Sequence, residues 1–406
     1  MTDNTIFFEW LSFAIRWAHV VAGIAWIGSS FYFIALDLGL KKNPGLPEGV
    51  SGEEWQVHGG GFYRMQKYMV APAELPEHLV WFKWESYATW LTGFLMLVVI
   101  YYFGADLYLI DLAVRDVDAP MAIAASVASL AVGWVIYDLL CKSPLGKSDT
   151  RLMVVLFGVL VAMAWAYTQL FTGRAAFLHL GAFTATIMSA NVFFIIIPNQ
   201  KIVVAEMKAG RTPPAHLGIQ AKQRSLHNNY LTLPVIFFML SNHYPLAFAT
   251  AWNWLIAALI FLIGVLIRHF FYIKHRGGGF LVWPWVVSFI LFVIIMWLSS
   301  APRLSDGEAQ ASPSVLGFTE VTSFAEAREV VAARCVMCHA GEPAWPGMEA
   351  PPKGVRLDSD VAIALHAREI YLQAGVTSAM PPGNVSFITA DERAILAAWY
   401  REGAAR

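Results

Sequence analysis

The stretch "RWAHVVAGIAWIGSSFYFIALD", residues 16 to 37, carries no charged side chain between Arg16 and Asp37 and is apolar or small around its whole circumference apart from His19. A helix that is hydrophobic on all sides is placed either in a large core or in lipid. About 20 such residues cross the hydrocarbon layer of a bilayer, so this stretch is long enough to span one. The rest of the chain supports the lipid reading. Its 406 residues are 57% hydrophobic and only 14% charged, against about 25% charged in soluble domains. The formal net charge is −1, and nothing in the charge distribution points to nucleic acid. The N-terminus "MTDNTIFFEWLSFAIRW" lacks the basic start of a secretory signal and its apolar run continues past Ile34, so the expectation is a retained first span.

Spans are expected at 11–37, 86–104, 120–140, 152–172, 175–197, 229–244, 250–272 and 280–300, the sixth short and carrying Pro234. The fold class expected is therefore all-α, an eight-helix transmembrane bundle over residues 1–300. If the intervening loops alternate sides, one set holds sixteen lysines and arginines, among them Lys41, Lys67, Lys83, Lys142, Arg224 and Arg268, and the other only Arg115 and Arg174. Positive charge stays inside, which places both termini on the outer, periplasmic face of a cytoplasmic membrane. After Ser300 the composition turns to "APRLSDGEAQASPSVLG", a linker over 301–318. A small helical domain follows over 319–406, its last helix opened by a capping box from Thr389 to Glu392.

"AARCVMCHAG", residues 332–341, holds Cys335, Cys338 and His339 in the C-x-x-C-H spacing that attaches a c-type haem. No second cysteine pair completes a zinc set, since the third cysteine, Cys141, lies far upstream. His339 is the expected proximal iron ligand. Met380 in "SAMPPGN" is the expected distal one, with Met348 as the alternative. A methionine ligand raises the haem potential and suits an electron acceptor.

Ionisable residues inside a bilayer are costly and read first as functional. His19, His179 and His243 fall toward the outer side on this topology and are candidate ligands of a membrane haem b or a metal, unless each only bonds a neighbouring helix. A faint internal repeat sets His19 over His179, Ser29 over Ser189 and "WLTG" at 90 over "YLTL" at 230. It suggests two four-helix units in tandem. Toward the inner side, "FKWESYATW" and "RSLHNNYLTLP" gather Lys83, Glu85, Arg224, His227, Asn228 and Asn229, with Lys67 nearby in sequence. Cations, a base, amides and aromatic faces are what a planar anionic heterocycle requires, although snorkelling lysines and interfacial tryptophans produce a similar composition.

The long motifs "RWAHVVAGIAWIGSSFYFIALD", "FKWESYATWLTG" and "RSLHNNYLTLPVIFFMLSNHYP", followed by "CVMCH" and "AMPPGN", closely resemble the bacterial membrane-integral urate oxidases over essentially the whole chain. The first span also looks like the haem-binding bundles of the protoporphyrinogen oxidase and copper-resistance type, which supports His19 as a haem ligand. The resemblance implies oxidation of urate to 5-hydroxyisourate, with electrons passing to the fused cytochrome c and onward to respiratory cytochromes or a terminal oxidase, without hydrogen peroxide. On that reading Lys83 clamps the anion, Glu85 or His227 is the base, and Lys67, Asn228 and Asn229 bind substrate. Two other classes fit the same residues: an electron-transfer subunit served by a separate dehydrogenase, and a transporter carrying a cytochrome sensor.

Overall fold

A computed structural model describes residues 4–68, 75–111, 114–299, 311–348 and 350–405; positions 301–310 of the expected linker lie outside these. Long helices occupy each expected span. They are α1 (Asn4–Gly39), α2 (Trp84–Met96), α3 (Ala119–Lys142), α4 (Asp149–Thr168), α5 (Gly173–Ala190), α6 (Ile197–Lys208), α7 (Ala215–Leu240), α8 (Asn253–His275) and α9 (Trp283–Ser299). Among the described residues five helical rods are long and apolar enough to cross a membrane, α1, α3, α4, α5 joined to α6, and α8, while α9 is apolar but shorter.

The helix starts follow local chemistry. Asp118, Ser148 and Thr172 cap α3, α4 and α5 by accepting from the backbone N–H of Met121, Arg151 and Ala175. Two helices are interrupted by π turns, Leu97–Tyr102 after α2 and Asn191–Ile196 between α5 and α6. Such turns concentrate at functional positions because they re-aim side chains. Here they direct Tyr101, Tyr102 and Asn191 into polar contacts inside the bundle.

The sixth expected span is corrected. α7 begins at Ala215, well before residue 229, and ends at Leu240. Its first half is polar yet partly buried, so hydropathy hides it. Arg224 on α7 and Arg268 on α8, counted in the sequence as loop cations, are buried in the bundle. Pro234 is accommodated inside α7 because Gly264 of α8 stands against it; a Cβ at 264 would meet the Pro234 ring at 2.5 Å.

The fold is helical as expected, with one small addition among the described residues. Val50–His58 (β1) and Gly61–Tyr68 (β2) form an antiparallel hairpin with Trp55 opposite Arg64 and His58 opposite Gly61. Gly59 and Gly60 between them have φ of +58° and +78°, the left-handed pair that a two-residue hairpin turn demands. Glu53 fastens this hairpin by accepting from Arg64 at 2.7 Å and Asn43 at 3.1 Å. Those bonds, the Arg64 bond foremost, hold its carboxyl at about 2, well below the usual carboxylate range.

One hydrophobic core gathers Leu97, Leu160, Phe183, Phe238 and Phe261, and a second gathers Val331, Leu357, Tyr371, Leu396 and Trp399. Around the first core the outward faces stay apolar. Trp17 on α1 is 67% exposed and Trp297 on α9 is 72% exposed, together with Ile24, Phe289 and Val286. Apolar patches of this extent call for lipid or a partner rather than water. The second core lies between α10 (Phe324–Arg334) and α11 (Ala390–Ala404). The capping box at Thr389 and Glu392 forms as expected. Trp399 donates to the Phe318 carbonyl at 2.8 Å. The C-terminal segment docks on the end of the helices that carries the N-terminus. Arg368 pairs with Glu9, Tyr108 donates to Glu369 at 2.6 Å, and Ser314 donates to Asp106 at 3.1 Å.

Candidate functional site

The C-x-x-C-H residues sit on one turn. The amides of Cys338 and His339 both bond the Cys335 carbonyl, at 3.1 and 3.0 Å, so both thiols and the imidazole project from a single short coil. His339 Nδ1 lies 2.9 Å from the Val355 carbonyl. That bond fixes the ring and leaves Nε2 for a metal, the usual orientation of a ligating histidine. Burial pushes the Cys335 thiol up to about 11, the Cys338 thiol adding to the effect. Among the described residues no group of three or more His, Cys, Asp or Glu could hold a metal ion. Met380 stands on a loop tied down by Arg393, whose guanidinium donates to the carbonyls of Ala374, Thr377 and Met380. These residues fit a c-type haem: two thiols, one oriented imidazole and a thioether on a braced loop.

The three histidines anticipated as candidate ligands of a membrane haem or metal are placed in three different environments. His179 is fully buried, with Nε2 2.7 Å from Ser126 Oγ, Nδ1 2.7 Å from the Ala175 carbonyl, and its ring against Phe171. Both nitrogens are thus engaged inside the bundle, the alternative weighed for polar residues between membrane helices. His19 turns toward α2. Its Nδ1 lies 3.0 Å from the Thr89 carbonyl, and it lines a narrow apolar cleft with Trp26, Trp90 and Phe94. Gly93 makes room for it, since a Cβ there would meet His19 Cε1 at 2.8 Å. His243 lies in the turn after α7 and faces a much larger cavity at the bundle's outer end.

The inner residues form a closed network. Arg224 pairs with Asp138 at 2.6 Å and donates to Asn191 Oδ1 at 3.1 Å. Asn191 Nδ2 donates to Tyr137 Oη and to Asn228 Oδ1, both at 3.0 Å. Asn228 in turn donates to the Met188 carbonyl at 2.9 Å. Tyr137 Oη lies 2.8 Å from His227 Nδ1, while His227 Nε2 is buried without a partner. An unsatisfied buried polar atom costs about 1–3 kcal/mol, so this nitrogen marks either strain or a ligand position. Asn229 belongs to a different face of α7 and bonds Arg268, whose guanidinium lies over Phe31. Lys83 and Glu85 open α2, with Lys83 over the Trp84 ring and the next residue, Ser86, 3.1 Å from Ser189 of α5. Lys67 stands on β2 at the surface, paired with Asp37 at 2.7 Å. The hydrogen bonds therefore unite His227 and Asn228, and set Asn229 and Lys67 in separate pairs.

A larger site is one the sequence did not reveal. Between the end of the bundle that carries the N-terminus, called the outer end on the expected topology, and the C-terminal segment lies a cavity of about 1010 Å³. Its wall includes Arg16, Arg174, Asn242, His243, Lys353 and His366, residues that come from five separate stretches of chain. No local spacing could have announced it; the one signal was the cation Arg16 at the edge of the first span.

An assembly of long apolar helices with lipid-facing surfaces and polar contacts inside it is of the kind built by multi-pass membrane proteins. Residues 5–299 match the family described as urate oxidase N-terminal, and the chain belongs to that family. No curated protein and no solved structure matches it.

Proposed function

We propose that this chain oxidises urate to 5-hydroxyisourate in a bacterial cytoplasmic membrane and delivers the electrons to a c-type haem in its own C-terminal segment. The observation that carries the reading is the union, in one polypeptide, of a urate oxidase membrane region with a C-x-x-C-H turn whose histidine is already oriented by Val355. Residues 1–300 supply eight crossings, 301–318 the connection and 319–406 the cytochrome, with both termini periplasmic. Cys335 and Cys338 would hold the haem covalently, with His339 and Met380 as its axial ligands. When bound, that group supplies a one-electron acceptor.

The protein's own work is to hold the urate anion, take up ring protons and admit water to the oxidised carbon. The family resemblance suggests Lys83 as anion clamp with Glu85 or His227 as base, one of two candidate locations for that work, the other being the cavity beside the C-terminal segment. A variant of any of these that keeps full turnover removes that residue from the role.

The test is an anaerobic optical spectrum of the purified chain in detergent, before and after urate, with xanthine as control. Reduction of the haem bands by urate alone is the expected result. A haem that dithionite reduces and urate does not would favour an electron-transfer subunit or a transporter instead.

A further inference from the structure

We propose that urate is bound and oxidised in the cavity between the outer end of the bundle and the C-terminal segment, a placement that rests on the activity proposed above. The first reason is charge. Arg16, Arg174, Lys353 and Arg368 line the cavity against two carboxylates, Glu9 and Glu369. Glu9 is taken by Arg368, and Glu369 accepts from the Tyr108 phenol at 2.6 Å. The balance over the lining is therefore cationic, carried by Arg16, Arg174 and Lys353, with Arg174 bonded to neutral partners, the Asn242 amide at 3.4 Å and the Tyr101 phenol. A cleft of one sign with low-dielectric walls concentrates ions of the other.

The second reason is shape chemistry. Phe8, Phe103 and Phe248 offer aromatic faces, and Asn242 and Gln373 offer amide edges that both donate and accept. A flat anion edged with ring N–H and carbonyl groups matches this combination. The volume, at the upper end of the roughly 300–1,000 Å³ of ligand pockets, leaves room for the water that the reaction consumes.

The third reason is the path for electrons. Val355 lines the cavity, and its carbonyl is the group that His339 Nδ1 contacts at 2.9 Å. Cavity wall and proximal imidazole are thus one hydrogen bond apart. His227, in contrast, lies thirteen residues before the end of α7 at Leu240, roughly 20 Å further into the bundle at 1.5 Å per residue.

The step balances as follows. One water gives a hydroxyl to the ring carbon, forming a C–O bond. The second water proton and one ring N–H proton are released, with His243 and His366 the imidazoles in the wall to receive them. The two electrons need a one-electron acceptor used twice, which the haem that Cys335, Cys338, His339 and Met380 would hold could supply when bound, a downstream one-electron acceptor taking each electron on.

The experiment uses the full-length haem-loaded chain and measures anaerobic haem reduction against urate concentration, together with equilibrium binding of labelled urate. The variants are Arg16→Gln, Arg174→Gln and Lys353→Gln, with Lys147→Gln as a surface control and covalent haem content verified in each. Loss of a charged hydrogen bond is expected to raise half-saturation about tenfold or more for the arginine variants, with the dithionite-reduced spectrum unchanged. Half-saturation that stays at the wild-type value in all three, while His227→Gln raises it, would overturn the placement. So would an acid-extractable second haem that disappears in His243→Ala, because the cavity would then belong to that group. Urate that binds through the arginines without reducing the haem would leave the site standing and defeat the reaction. Urate that neither binds nor reduces would defeat both.

Discussion

The two ends of the bundle handle polar groups in opposite ways. In the inner half, Arg224, Asp138, Asn191, Tyr137 and Asn228 spend their hydrogen-bonding capacity on one another, leaving the buried His227 Nε2 as the loose end of an otherwise closed circuit. At the outer end Arg16, Arg174 and Lys353 line a space of about 1010 Å³ and hold a charge surplus. A closed network fixes helices in register, because removing one member strands the others in a low-dielectric interior. An open, same-sign cavity is poor glue and good bait. Burial of polar groups is thus a weaker sign of a substrate site than their failure to find each other.

The contrast can be broken most directly at the C-terminal turn. His339→Ala is expected to abolish urate-dependent reduction while leaving the inner network intact, read by the optical spectrum and by thermal unfolding of the membrane region; surviving reduction would disconnect the outer end from the chemistry. Next in size, Arg224→Met leaves Asp138 as a buried charge with only the exposed Lys142 beside it. Breaking a buried pair costs about 3–5 kcal/mol, so the unfolding midpoint in detergent should fall sharply with half-saturation for urate unchanged. A raised half-saturation at full stability would instead make the inner network a binding site. Gly264→Ala should cost about 1–3 kcal/mol by driving a methyl into Pro234, again on stability alone.

The smallest effect is one of pH. Ser323 and Thr322 donate to Glu402 and hold its carboxyl at about 2. Its folded value lies below the unfolded one of about 4.3, so its contribution is complete above that value and is lost as pH falls through about 2. Glu402→Gln should flatten the acid unfolding of the C-terminal segment in that window and leave the bundle unaffected.

Much of this was readable from residues alone, for identifiable reasons. Apolar runs such as 152–172 declare themselves because lipid demands uniform hydrophobicity, and the Thr389 capping box is a four-residue signal. α7 was read short because Arg224, His227, Asn228 and Asn229 face the bundle interior, where helix burial and polarity coincide and hydropathy fails. The hairpin has a weak linear signal, since a two-residue glycine turn between Val57 and Phe62 says strand only if the flanking period is weighed with it. His19 over His179 aligned in sequence, yet Ser126 and Thr89, which decide what each ring does, lie on other helices. The outer cavity, drawn from seven separate stretches, had no linear signature.

The contact of Arg368 with Glu9 and of Glu369 with Tyr108 also has a meaning in time. The ribosome makes Glu9 hundreds of residues before Arg368, so α1 waits, already in the membrane, for the segment around Arg368 to arrive and close over it. The cavity is closed only once that segment has been made, and a chain truncated before residue 353 would insert its helices while lacking the wall that Lys353, Val355 and His366 supply.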